Sequence, residues 1–206
     1  MTTEYPKIET PFERDDKTHK VYPDRLRSPL YASFKTWDFT EKIDGTNIRL
    51  IWSWQDGKFS IGGRTDNAQI PADLVKYLYE LVSVDKLRVV FPDTDAVIYG
   101  EGYGAGIQKG GLLSPTKKFA AFDVLVGGQW WLDWSNTCDV CTKLGISWVP
   151  ELGEWTLEDA IEFVRKGFPS LLGEHPPAEG VVGRTKEPLF DKRGKRVIIK
   201  LKTKDF

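Results

Sequence analysis

"FTEKIDGTNIRLIW", residues 39–52, is the stretch on which the reading turns: two apolar runs flank a glycine turn that carries Lys42 and Asp44. Residues 48–54 read as a strand, Asp56-Gly57 is a strong hairpin signal, and residues 58–64 read as the returning strand. With Asp56 and Gly57 as a two-residue loop, Arg64 falls opposite Arg49 and is delivered back to the Lys42 turn. An ordinary lysine, with a pKa of about 10.4, is neutral in roughly one molecule in a thousand near neutral pH. Lys42 is therefore either an exposed turn cation or an amine whose surroundings fit it for attack.

Working outward, "PADLVKYLYELVS" (71–83) has helical spacing, and "AVIYGE" (96–101) reads as a strand leading into a glycine-rich loop. "KFAAFDVLV" (118–126) and "QWWLDW" (129–134) follow as strands across a GG turn, then a helix over the cysteines and a strand near "ISWVP" (146–150). "TLEDAIEFVRKG" is a helix with Thr156 as N-cap and Gly167 beyond its end. "EGVVGRT" (179–185) and "RVIIKLK" (196–202) close the chain as strands. Residues 1–36, punctuated by Pro6, Pro11, Pro23 and Pro29, read as an irregular arm packed on a core formed by 37–206. Antiparallel sheets with helices outside make an α+β fold.

The 206 residues include 40% hydrophobic residues, enough for a substantial core, and carry 29 basic against 30 acidic side chains. With a net charge of −1, any polyanion site has to be a local patch. No apolar run approaches the roughly 18 residues of a membrane span, and the amino terminus has no secretory-type segment, so a cytoplasmic protein without membrane association is expected. Cys138 and Cys141 form a CxxC without a second pair, and His19 and His175 are distant in sequence, so buried thiols are expected in place of a zinc site.

Several residues bear chemistry on either of two readings. Lys200 and Lys202 share one face of a strand, which suits a phosphate chain or the wet side of an edge. Glu101 and Glu179 each adjoin an apolar strand and precede a glycine, where a carboxylate serves a ribose hydroxyl, a metal's water shell or merely a turn. Phe122 offers a ring to a base or to the core. Neither GxGxxG followed by a helix nor GxxxxGK[ST] occurs, which excludes the Rossmann and P-loop modes of nucleotide binding.

Five segments in order, "EKIDGTN" (41–47), "YGEGYGAGIQK" (99–109), "KFAAFDV" (118–124), "AEGVV" (178–182) and "VIIKLK" (197–202), resemble the motifs of the covalent nucleotidyltransferase superfamily, most closely the RNA ligase 2 family of ATP-dependent RNA ligases. Asn47 in KxxGTN and the "GIQK" run point to that family, since DNA ligases and capping enzymes usually carry arginine where Asn47 stands. Asp44 stands where the family often has histidine. The resemblance implies a nucleotidyltransferase (ATP-grasp-like) fold and three chemical steps. Lys42 attacks ATP to form lysyl-AMP, AMP passes to an RNA 5′-phosphate, and a 3′-hydroxyl displaces it.

It further implies that Glu41, Lys42, Asn47, Arg64, Glu101, Phe122, Lys200 and Lys202 contact the nucleotide, with Lys42, Glu179, Lys200 and Lys202 catalytic. Arg64 would contact phosphate or ribose, Glu101 ribose, and Phe122 the adenine. Asp44, Glu101 and Glu179 would hold Mg2+ or Mn2+ through water, and Lys200 with the metal would depress the pKa of Lys42. The implied partners are RNA ends or a nicked duplex. Many family members carry a further carboxy-terminal domain, whereas this chain ends four residues after Lys202, so an accessory protein or domain is expected to help engage RNA. The competing classes are a small DNA nick ligase, a capping-type nucleotidyltransferase, and a nucleotide- or RNA-end-binding module without turnover.

Overall fold

A computed structural model describes residues 4–206. In chain order its strands and helices begin with β1 (Phe12–Arg14), β2 (Val21–Leu26), β3 (Trp37–Glu41), β4 (Thr46–Ser53), β5 (Lys58–Gly63), α1 (Ala72–Leu81) and α2 (Val84–Val90). They continue with β6 (Ala96–Tyr103), β7 (Lys118–Val126), β8 (Trp130–Trp131), α3 (Trp134–Leu144), β9 (Glu151–Trp155), α4 (Leu157–Lys166), β10 (Gly180–Arg184) and β11 (Ile198–Lys202). The chain forms two compact units, one of residues 4–6, 44–149 and 172–174, the other of residues 7–43, 150–171 and 175–206. All described strand ladders are antiparallel, as the α+β reading expects.

The first unit is a five-stranded sheet in the order β5-β4-β6-β7-β8. Alternation along β4 sends Ile48, Leu50 and Trp52 into one core with Leu74 and Leu78 of α1, Leu87 of α2, and Val140 and Cys141 of α3. Each large apolar side chain fully buried there contributes about 1.5–3 kcal/mol. The opposite face of β4 is left for Asn47 and Arg49. Asp133 caps α3 by accepting from the Asn136 N–H, and Gly145 ends it in the left-handed conformation. Burial pushes the Cys141 thiol up to about 12, so the cysteine helix presents core and not a reactive dithiol.

The second unit packs a four-stranded sheet, β11-β10-β3-β9, against α4. Phe39, Val181, Ile199 and Leu201 meet Ala160 and Val164 in its core. Thr156 accepts from the Asp159 N–H at the start of α4, and Gly167 closes it with φ 71°, as its sequence signals require.

Three expectations are corrected. The hairpin loop has four residues, 54–57, so Arg49 pairs with Gly62 and Arg64 lies one residue beyond β5. The offset is two residues, which preserves which face each side chain takes. The strand placed near 146–150 contributes only an isolated bridge between Trp148 and Ala121; the strand itself is β9, starting after Pro150, whose missing N–H cannot serve a ladder. The arm read as irregular contains a two-stranded sheet, β1-β2, and α2 was not legible because seven residues give too little periodicity.

Candidate active site

In the second unit, β10 lies between β3 and β11, pairing Gly180 with Lys202, Val182 with Lys200, and Val182 with Thr40. Alternation along β11 buries Ile199 and Leu201 and leaves Lys200 and Lys202 on the other face, as the strand pattern requires. Lys42 follows directly after β3, and its backbone N–H donates to the Gly180 carbonyl at 2.9 Å. Gly180 has φ 151°, and a Cβ there would lie 2.0 Å from the Leu201 carbonyl oxygen, so only glycine lets Glu179 enter the sheet at this point.

The outcome is a three-residue cluster. Lys42 Nζ donates to Glu179 Oε2, and Lys202 Nζ donates to Glu179 Oε1. Burial by itself would raise the Glu179 carboxyl, but the two ammonium groups outweigh it and hold the group below its ordinary range. Lys200 has no carboxylate partner among the described residues; burial, reinforced by repulsion from Lys202, Lys42 and Lys7, pushes its ammonium down to about 8. A half-buried lysine kept short of counter-charge is suited to an anion that arrives from outside.

Glu41, read as a nucleotide contact, is 2% exposed, and both its carboxylate oxygens are engaged. Ser170 Oγ donates to Oε1 and the Leu171 N–H to Oε2. Its side chain ties the end of β3 to the 170–171 segment, and its backbone N–H donates to the Pro150 carbonyl at 2.8 Å.

The remaining candidates belong to the first unit. Asn47 and Glu101 are directly paired across β4 and β6. Gly45 lies so close to β6 that a Cβ there would stand 2.3 Å from the Gly102 carbonyl oxygen. Asn47 Oδ1 is buried without a hydrogen-bond donor among the described residues, which marks it as an acceptor awaiting a partner. Phe122 is the extra residue of a β-bulge: Tyr99 pairs with Asp123 and Gly100 with Ala121, and the register shifts between them. The bulge breaks the alternation of β7 and re-aims this ring, which sits edge-on to Tyr5 at 5.0 Å between centroids.

Arg49 is a buried neighbour of the candidate Arg64 that sequence reasoning did not single out as a site residue. It is 1% exposed, donates from Nε to the Gly63 carbonyl at 2.6 Å and from Nη2 to Asp66 at 2.8 Å. These two anchors bracket the exposed Arg64 on either side. The signal available was a charged residue inside an alternating apolar strand. Among the described residues, no three His, Cys, Asp or Glu side chains gather as direct metal ligands, and no helix is long and apolar enough to cross a membrane.

Against solved structures, a Naegleria gruberi RNA ligase variant with ATP and Mn aligns at TM-score 0.65 and 18% identity, over 98% of this chain and 64% of that one. A second variant of the same ligase, with AMP and Mn, gives TM-score 0.65 and 18% identity over 96% and 61%. The same ligase with PPi gives 0.63 and 16% over 96% and 61%. The likeness establishes a shared RNA ligase nucleotidyltransferase fold, and the chain spans about three fifths of the length of these ligases. A search of curated proteins finds no significant match. The sequence model of the RNA ligase family matches residues 35–202, a span that contains all five motifs and both sheets that carry the candidate residues. This chain belongs to the RNA ligase family.

Proposed function

We propose that the protein is an ATP-dependent RNA ligase that uses Lys42 as its covalent nucleophile. The observation that carries the reading is the Lys42–Glu179–Lys202 cluster with Lys200 beside it: a lysine amine, a carboxylate able to accept its proton, and two further cations at the place where a phosphate would lie. A purely nucleotide-binding module needs the cations but has no use for an amine held against a carboxylate.

In the first step the neutral Lys42 amine attacks the α-phosphorus of ATP. The N–P bond forms, the bond from the α-phosphorus to the bridging oxygen breaks, and pyrophosphate leaves with its electron pair. Glu179 is within hydrogen-bonding reach to take a proton from Lys42, while Lys200 and Lys202 neutralise the charge that builds on the phosphate oxygens. Phe122 stacks on the adenine, and Glu101 and Arg64 hold the sugar and phosphates. Transfer of AMP to an RNA 5′-phosphate and displacement by a 3′-hydroxyl complete the reaction.

A divalent ion fits the residues present when it keeps its waters. No direct ligand cluster exists among the described residues; on the family resemblance Asp44, Glu101 and Glu179 would each accept from the ion's coordinated water, and the Asn47 Oδ1 has acceptor capacity to spare. Bound with ATP, Mg2+ or Mn2+ contributes charge neutralisation at the phosphates. The structures of the Naegleria gruberi ligase with ATP and Mn, with AMP and Mn, and with PPi support this choice of nucleotide and ion.

The test is intact-protein mass spectrometry after incubation with ATP and Mg2+, with GTP and NAD in parallel. The expected result is an acid-labile gain of one AMP, about 329 Da from the composition of the adduct formed by lysine attack, with ATP alone and absent in Lys42→Ala. Labelling from GTP would favour a capping-type enzyme, and labelling that persists in Lys42→Ala would remove Lys42 as the nucleophile.

A further inference from the structure

The second unit contains a pocket of about 360 Å³ that joins the β11 lysines of the ligase reading to arm residues which that reading does not use. One wall is the face of β11 that carries Lys200 and Lys202; the other is the amino-terminal arm. Residues 7–10 run beside β11, with Glu9 bridged to Ile199 and the Lys200 N–H donating to the Glu9 carbonyl at 3.1 Å. Six lysines and arginines line the pocket against two carboxylates, in a chain whose net charge is −1.

The carboxylates are already committed. Asp205 receives both Nη atoms of Arg14, at 3.1 and 2.6 Å, and Glu9 is shared by Arg27 at 3.5 Å and Lys195 at 2.8 Å. Lys7, Lys200 and Lys204 are left without a carboxylate partner among the described residues. Thr10, 2% exposed, also lines the pocket, and its buried hydroxyl has no hydrogen-bond partner. His19 on the rim has φ 58°, and its carbonyl accepts from Arg14 Nη1 at 2.6 Å. Uncompensated cations and an orphaned hydroxyl around one concavity match the needs of a tetrahedral oxyanion.

We propose that the arm pocket is a phosphate subsite, built by Lys7, Thr10 and Lys204 onto the β11 lysines, that takes a pyrophosphate-length anion or adjacent phosphates of a nucleic-acid strand. The assignment of the anion's source rests on the ligase reading; the subsite itself rests on the pocket's own residues. Thr10 donates its hydroxyl to a phosphate oxygen, and the three unpaired lysines supply charge.

The experiment is titration calorimetry with sodium pyrophosphate and, separately, with 5′-phosphorylated and 5′-hydroxyl RNA oligonucleotides. The proteins are wild type, Thr10→Val, Lys7→Gln/Lys204→Gln, and Lys143→Gln as a surface control paired only with Asp139 among the described residues. Both pocket variants should weaken binding about tenfold or more, the range of a hydrogen bond to a charged group, while Lys143→Gln does not. Thr10→Val should leave the thermal midpoint unchanged or raised, because it removes an unsatisfied buried hydroxyl. Weakened pyrophosphate binding alone identifies the phosphate tail of the nucleotide, and weakened oligonucleotide binding alone identifies the strand. Binding of both probes as in wild type overturns the subsite. AMP labelling of wild type runs alongside: labelling with unaltered binding fails the subsite only, and binding loss without labelling fails the ligase reading only.

Discussion

Lys42 and Glu179 form an ion pair across the end of β3 and the start of β10, although 137 positions separate them in the chain. The carboxylate is simultaneously bound by Lys202, so replacing Glu179 with glutamine keeps its shape and removes its charge. Glu179→Gln is expected to slow lysyl-AMP formation about 100-fold, the scale of losing one well-placed electrostatic group. The pH dependence of stability follows from the same pair. The folded carboxyl lies below its ordinary value of 4.5, so it stabilises the fold above that pH, and this contribution is lost as pH falls through the folded value. Urea midpoints followed down from pH 5 should drop less steeply in Glu179→Gln than in wild type; equal slopes would show that the pair does not contribute.

Lys200 predicts the opposite trend. Its ammonium titrates near 8 in the folded protein against an ordinary 10.5, so between those values the unfolded chain binds more protons and stability rises with pH. Below pH 8 the charged, half-buried lysine costs stability. Lys200→Met should therefore melt at a higher temperature than wild type at pH 7, with the advantage shrinking towards pH 10, while AMP labelling is lost. A variant that melts lower at pH 7 would mean that the lysine stem, and not its charge, dominates packing there.

Arg49 should be required for both fold and function. Arg49→Met removes the donors to Gly63 and Asp66, at an expected cost of about 1–3 kcal/mol for the buried carbonyl left without its partner. It should also raise the KM for ATP by releasing the segment that carries Arg64. Lysine should not rescue it, because a single ammonium cannot reproduce the two-directional fork of the guanidinium. Denaturant melts and adenylylation kinetics of Arg49→Met and Arg49→Lys together check this; full activity in Arg49→Lys would reduce Arg49 to a simple charge.

Phe122→Ala should weaken ATP use by about 10- to 100-fold, corresponding to about 1–3 kcal/mol for base stacking on an aromatic ring. Because Phe122 is the bulge residue of β7, set outside the Cα register with β6, the thermal midpoint should move less than the KM for ATP. An unchanged KM for ATP, measured by AMP labelling, would remove its proposed role.

Much of this arrangement could be read from residue order. The alternation in 197–202 put Lys200 and Lys202 on one face, 48–54 read as a strand, and Thr156 and Gly167 bounded α4, because strand period and helix caps are local properties. What was illegible depends on loop geometry or distant partners. Asp56-Gly57 suggested a two-residue loop, but the chain uses four residues, so Arg64 ends up beyond the paired strand. The bulge at Phe122 needs the register of β6 to be seen at all. Engagement of Glu41 by Ser170, and of Glu9 by Lys195, joins residues more than a hundred positions apart, and nothing in either segment announces the other.

The bridge between Glu9 and Ile199 matters for handling the protein as well as for binding. Where residues 7–10 lie, β11 has no naked outer edge, and strands left open in that way recruit other chains. Trimming the molecule back to the first recognisable motif would leave that edge bare and remove the arm wall beside two lysines. The shortened protein is expected to self-associate at low salt, a behaviour easily mistaken for native oligomerisation.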